Sequence, residues 1–302
     1  MIQLYRVYKV YFLLILCVLF WSGNFILGRF IKDDIEPLEL AFFRWVLALI
    51  LMIPFSIKYM NIKKCIKILK QQFLILSILA ILGISLFNTI VYIALKTTQA
   101  TNALLINSIT PLLVLFLGVL ILKNRVNKTQ LLGFLFSTFG VIFLVLQADI
   151  TKLLVLDFKT GDLWIILSAS IWALYSVLLR FKPKELNHVE LFTTLVFLGV
   201  IYLLPVYLYQ GYNLQREIYI ITQNWPIIIY VSLFASVLSF YFWNSAIAQI
   251  GPEKSSQFAH LMPLFGAILA YMFLGEKIEL YHLIGACFIA IGIYLSLFLS
   301  FK

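Results

Sequence analysis

Apolar residues in this chain gather in long stretches, and polar residues collect between them. Ten stretches can be drawn, at about 10–31, 38–57, 73–95, 103–122, 130–147, 162–181, 189–209, 226–248, 258–275 and 280–300. Each is close to the ~20 residues an α-helix needs to cross the hydrocarbon core of a bilayer. The fifth is short and can extend towards Ile150. A backbone in lipid must satisfy its own hydrogen bonds, so every stretch is expected as a helix, and the sequence has none of the short alternating segments of a β-barrel. The pattern predicts an all-α polytopic membrane protein.

The pattern is also written twice. Trp21, Arg29, Glu39 and Pro54 recur as Trp172, Arg180, Glu190 and Pro205, each 151 positions on. Pro111, Gly133 and Gly140 recur as Pro263, Gly285 and Gly292, each 152 positions on. This reads as a duplication, with one repeat over 10–150 and the other over 162–300. Each repeat holds five spans, and an odd number turns the second upside down. The expected architecture is therefore ten transmembrane helices in two inverted five-helix repeats, an arrangement that lets one fold open to either side of a membrane.

Composition agrees. Hydrophobic residues make up 63% of the chain and charged residues 12%, where a soluble domain carries about 25% charged residues. The net charge of +10 needs no nucleic-acid partner. With the N-terminus inside, 15 of the 23 Lys and Arg residues fall in cytoplasmic segments. Six fall outside: Lys32, Lys96, Lys152, Lys159, Arg216 and Lys277. That bias predicts a multi-pass protein of the cell membrane with both termini cytoplasmic. Arg6 and Lys9 before the first apolar run resemble a signal peptide, but no small-residue cleavage site follows, so a retained helix is expected.

Between Lys58 and Gln72, Ile62, Ile66 and Leu69 share one helical face and Lys63, Lys67 and Lys70 another. The segment reads as a short helix on the anionic inner leaflet or as a solvated basic loop. Cys17, Cys65 and Cys287 imply no disulfide framework. No His/Cys/Asp cluster has metal-ligand spacing, and no cofactor is expected.

Polar groups inside spans are costly and face a cavity or the bundle, so their spacing marks candidate lining residues. Ser85, Asn88, Thr89 and Tyr92 form one stripe in the third span. Ser232, Ser236, Ser239 and Trp243 form another in the eighth, with Asn244 beside it. Trp21 and Asn24 in the first span, Asn107 and Thr110 in the fourth, Ser168, Trp172 and Tyr175 in the sixth, and Ser256 and His260 in the ninth complete the set. Serines can equally bond their own backbone or bridge helices.

Pro111 and Pro263 remove a backbone hydrogen bond at matching positions and predict kinks. Gly133, Ser137, Gly140, Gly285 and Gly292 predict close helix packing. Arg44 lies roughly 9 Å inside its helix. It can snorkel to the outer interface, bind a substrate carboxylate or close an external gate; Arg29 reads as structural. All 13 acidic residues lie in loops or near predicted helix ends, which leaves no midplane carboxylate for a proton relay. His260 is the one imidazole near these stripes.

The run Ser255-Ser256-Gln257-Phe258-Ala259-His260-Leu261-Met262-Pro263, followed by Gly275-Glu276-Lys277, Ile284-Gly285-Ala286 and Ile291-Gly292-Ile293, resembles the second repeat of the EamA-type transporters of the drug/metabolite transporter superfamily. Trp21-Ser22-Gly23-Asn24-Phe25 and Arg44 resemble the first. The likeness spans about 11–298, with one departure: Lys123-Asn124-Arg125 stands where the second repeat has Gly275-Glu276-Lys277. It implies a ten-helix basket with helices 1, 3, 4, 6, 8 and 9 around a pathway. It also implies that a small organic solute is moved by alternating access; export or exchange of amino acids or similar amphipathic solutes, which the aromatic-rich stripe suits, is the expected function, with multidrug efflux as the alternative.

Gly83-Ile84-Ser85-Leu86-Phe87 with His260 faintly resembles the dyad of membrane proteases, but Leu86 stands where a glycine is required, so no enzyme is expected. A channel would show a filter or a ring of charge, and neither is evident. The expected partners are a small-molecule substrate and membrane lipids. A monomer and a homodimer are both compatible with the sequence.

Overall fold

The structure is a computed structural model, and it describes residues 2–149, 159–274 and 279–298. The possible extension to Ile150, the positions of Lys152, Lys277 and Lys302, and the Gly275-Glu276-Lys277 step lie outside the described residues.

The described segments consist of helices joined by short turns and loops. Helices α1 (Ile2–Phe30), α2 (Pro37–Tyr59), α3 (Ile62–Gln71) and α4 (Phe73–Thr97) open the first repeat. Helices α5 (Ala100–Asn107), α6 (Thr110–Leu122) and α7 (Lys128–Val145) complete it. The second repeat holds α8 (Thr160–Leu178), α9 (His188–Tyr209), α10 (Leu214–Ile250), α11 (Pro252–Ser256), α12 (Met262–Leu274) and α13 (Leu280–Phe298). Among the described residues nine helical segments are long and apolar enough to cross a membrane. The stretch 252–274 makes a further crossing in pieces, because a 3₁₀ turn at Gln257–Leu261 divides α11 from α12. Phe12, Ile57, Phe116 and Leu120 are exposed around the outside, as lipid-facing side chains should be.

Two spans depart from the sequence reading. The stretch 103–122 is not one helix: α5 ends at Asn107, and α6 restarts at Thr110 with Pro111 in its first turn. A proline there fixes φ and lacks only a donor that a helix start would leave unused. Thr110 Oγ1 instead donates to Asn107 O at 2.6 Å. The apolar pattern predicts the eighth span at 226–248, but α10 begins at Leu214, capped by Asn213 Oδ1 on Gln215 N. Its 37 residues span roughly 55 Å at the helical rise, so its first turns stand clear of the hydrocarbon. Those turns correspond to α3, which in the first repeat is split from α4 at Gln72. The basic segment is accordingly a helix, with Cys65 and Ile68 turned into the core.

The duplication reaches down to backbone irregularities. Helix α4 has a π-helical stretch at Ile81–Leu86, and α10 has one at Leu233–Leu238. The two are 152 positions apart, residue for residue. Helices α7 and α13 pair off at one edge, where Gly133 and Gly140 lie against Gly292 and Gly285. A methyl group at Gly133 would stand 2.6 Å from the Gly292 carbonyl oxygen, so the backbones touch. Arg29 and Arg180, matched at 151, donate to the last carbonyls of α4 and α10, Leu95 O at 2.6 Å and Ile247 O at 3.5 Å. A cation there complements the negative end of a helix.

Candidate substrate-binding site

Three residues of α1 (Trp21, Asn24 and Phe25), together with Phe87 and Asn88 of α4 and Trp172 of α8, meet the helix breaks at Asn107, Thr110, Ala259 and Met262. They enclose a cavity of about 10 Å³, room for about one water. The half-helices α6 and α12 both begin at this cavity, one from each repeat. Helix starts carry partial positive charge, and in transporters such starts face anionic groups. Asn88 Nδ2 and Asn107 Oδ1 are buried in this wall without a partner among the described residues. Each costs about 1–3 kcal/mol unless water or a solute satisfies it.

Arg44 stands directly behind Asn24 and Asn88, wholly buried. The snorkelling reading therefore fails: the side chain turns inward, because more acceptors await it there than at the rim. Nη1 donates to Asn24 Oδ1 at 3.1 Å, Asn88 Oδ1 at 2.6 Å and Tyr92 Oη at 2.9 Å. Nη2 donates to Ala235 O at 2.7 Å, and Nε donates to Ser236 Oγ. The π register of α10 leaves the Ala235 carbonyl available, and Trp21 Nε1 shares it at 3.0 Å. The guanidinium also lies 5.1 Å from the Trp45 ring centroid. All these partners are neutral. Among the described residues no carboxylate pairs with Arg44. A buried cation held by dipoles alone keeps its full charge for an incoming anion.

Aromatic rings surround the cavity. Trp21 and Trp172, the duplicated pair, meet edge-on at 5.0 Å, and Trp243 lies 5.1 Å from Trp21 and 5.6 Å from Trp172. Phe87 lies 4.6 Å from Trp172. Trp243 Nε1 donates to Ser176 Oγ at 3.2 Å, so the ring is fixed at its polar edge as well.

Behind the rings sits a mirrored hydrogen bond. Tyr92 Oη donates to Asn24 Oδ1 at 2.7 Å, and Tyr175 Oη donates to Asn244 Oδ1 at 2.9 Å. Asn24 corresponds to Tyr175 at 151, and Tyr92 to Asn244 at 152. The bond has been kept while its two ends exchanged residues.

Other candidates lie elsewhere. Ser239 Oγ donates within α10 to Phe234 O at 2.8 Å and across to Cys17 O of α1 at 3.4 Å, and Cys17 Sγ donates back to the Ser239 carbonyl at 3.3 Å. Ser85 donates to Gly199 O of α9 at 3.1 Å, because the π stretch turns it out of line with Asn88. His260 is buried beside the Ser108 backbone, one residue behind the lining Ala259. Phe25, Phe87 and Met262 line the cavity but were not singled out in the sequence, since apolar residues in apolar helices carry no signal. The Asn24–Tyr175 correspondence was readable at the repeat offset, though only by comparing unlike residues.

The model of the EamA-like transporter family matches residues 8–146 and 159–298. An uncharacterized transporter of Bacillus subtilis, YyaM, is 30% identical over 285 residues, covering 94% of this chain and 92% of that protein. One of Archaeoglobus fulgidus is 29% identical over 290 residues, covering 95% and 97%. A solved crystal structure of a protein that is 15% identical superposes with a TM-score of 0.72 over 97% of both chains. That last likeness bears on the fold alone.

Proposed function

The chain belongs to the EamA-like transporter family of the drug/metabolite transporter superfamily, and from that premise we propose that it exports or exchanges amino acids or similar amphipathic solutes by alternating access. As a multi-pass membrane transporter rather than an enzyme, it needs a site that recognises a solute without reacting with it. The observation that carries the proposal is Arg44: a buried guanidinium with neutral partners only, one residue behind a cavity walled by tryptophans. A carboxylate fits the charge, an apolar side chain fits Trp21, Trp172 and Phe87, and Asn88 and Asn107 hold spare hydrogen-bonding capacity. The repeats over 10–150 and 162–300 act as the two moving units, with both termini cytoplasmic. None of the cavity-lining residues is acidic, which supports flux down the solute gradient or exchange over carboxylate-coupled antiport.

The test is uptake of labelled amino acids, nucleobases and organic cations into proteoliposomes, with and without a pH gradient. Saturable flux of carboxylate-bearing solutes, accelerated by counter-solute, is expected. A preference for carboxylate-free cations would sink the amino-acid reading. The tryptophan cluster makes lipophilic drugs the second panel.

A further inference from the structure

Glu39 and Glu190 occupy equivalent positions at the starts of α2 and α9, and both are almost wholly buried. Each first caps its own helix: Glu39 Oε2 accepts from Glu36 N at 2.8 Å, and Glu190 Oε2 from Asn187 N at 2.9 Å. Each is then paired with a cation from the other repeat. Glu39 pairs with Arg216 of α10, and Glu190 pairs with Lys64 of α3 at 2.5 Å. Lys64 and Arg216 are themselves equivalent, 152 positions apart. What the duplication has kept is a cross-repeat ion pair, and inversion sets one at each face of the membrane.

An ion pair within one repeat would ride along with it. A pair between repeats has to separate when the repeats part on that face. Both pairs are closed here, alongside a central cavity of only about 10 Å³. We propose that these pairs are the latches of the transport cycle, Glu39–Arg216 closing the outer face and Glu190–Lys64 the inner, with one open at a time. This rests on the alternating-access and orientation readings above, and not on the identity of the solute.

The latches are unequal. Arg216 engages both oxygens of Glu39, its Nη2 donating to Oε2 at 3.1 Å, whereas Lys64 offers Glu190 one point of charge, and the other oxygen takes only a neutral donor, Asn61 N at 3.1 Å. A planar fork holds a carboxylate more firmly than an ammonium does. Beside the inner latch a groove of about 630 Å³ already runs between α2, α9 and α10, lined by Met52, Phe55, Tyr59, His188 and Tyr241. The inner latch therefore yields first, and the unloaded protein opens inward, the loading side for an exporter.

Two positions report on this. Cys65 is buried next to Lys64, and Ile220 is buried at the equivalent end of α10. With Cys17 and Cys287 replaced by serine, an impermeant maleimide reads Cys65 from the inner face and Ile220→Cys from the outer, in proteoliposomes without solute. Lys64→Met should speed labelling of Cys65 about tenfold and slow labelling of Ile220→Cys; Arg216→Met should do the reverse. Glu190→Gln and Glu39→Gln test the same latches from the acidic side while keeping a capping oxygen. Exchanging the cations, Lys64→Arg with Arg216→Lys, should tip the resting balance outward. Faster labelling at one face without slowing at the other, or no change at either, overturns the latches. If labelling answers reciprocally to transported solute but not to these variants, alternating access stands and the latches fall.

Discussion

Tyr175 donates its hydroxyl to Asn244 Oδ1 at 2.9 Å, and the first repeat makes the same bond with donor and acceptor positions exchanged, Tyr92 to Asn24 at 2.7 Å. The two bonds differ in what they hold. Asn24 and Tyr92 also receive Arg44, whereas Leu195 occupies the position equivalent to Arg44 in the second repeat. One member of the pair therefore supports the candidate site, and its twin supports the scaffold.

Removing the two hydroxyls should accordingly have different effects. Tyr175→Phe leaves Asn244 Oδ1 buried and unpaired, at a cost of about 1–3 kcal/mol, and flux per folded molecule should stay near normal. Tyr92→Phe should cost similar stability and also reduce flux, because Arg44 loses an acceptor. Thermal unfolding in detergent, run beside vesicle uptake, separates the two outcomes.

Arg44→Gln should cut flux of carboxylate-bearing solutes about 30-fold or more, because a buried charge–carboxylate contact is worth about 2 kcal/mol or more when truncated. The fold should survive, since the glutamine removes a buried charge that no carboxylate balances. Arg44→Lys should not restore flux: one ammonium cannot reach Asn24, Asn88, Ala235 and Ser236 together. Normal uptake by the lysine variant would assign Arg44 a generic charge instead.

Gly133→Ala and Gly292→Ala should each destabilise the pairing of α7 and α13 by about 1–3 kcal/mol, as overpacking of a tight contact does. The neighbours a new methyl meets there are backbone atoms, which cannot rotate away. The concentration of solute at half-maximal flux should not move, because no residue of this helix pair lines the cavity. A melting-temperature shift without a change in that concentration is the expected signature.

Burial raises the Cys65 thiol pKa, with the nearby Glu190 carboxylate adding to the rise. A raised value means less thiolate at any given pH, so maleimide labelling of Cys65 should be slow near neutrality and climb at higher pH than for a free thiol. In Glu190→Gln the rise should begin at lower pH, since one of its causes is gone. Labelling rates between pH 6 and 10 would check both directions.

Much of the fold was legible because lipid leaves the backbone few choices. Spans at 38–57, 73–95 and 189–209 differ from α2, α4 and α9 by a few residues, since apolar length and hydrogen-bond satisfaction fix them together. The eighth span was missed by 12 residues at its start. Gln215, Arg216 and Glu217 read as a loop until the Arg216–Glu39 pair shows why a helix extends through them. The site was legible in part. Trp21, Asn24, Asn88, Asn107 and Trp172 converge on one cavity, while Ser239 and His260 lie beside it, because a helical stripe predicts a face and not which neighbour that face meets.

The sequence alone determined that the chain is a polytopic helical membrane protein, that its pattern is doubled, and which polar groups fall within the apolar stretches. Each of these follows from composition and spacing, since the hydrophobic cost of a polar group depends on depth and the period of a helix is fixed. Only the tertiary structure decided that Arg44 turns inward, that Ala235 offers it a carbonyl, and that Glu39 and Glu190 each take a cation from the opposite repeat. Those facts depend on which helices touch and on where a π turn shifts the register. They are contacts between residues 20 to 192 positions apart, on different helices, and no local pattern encodes them.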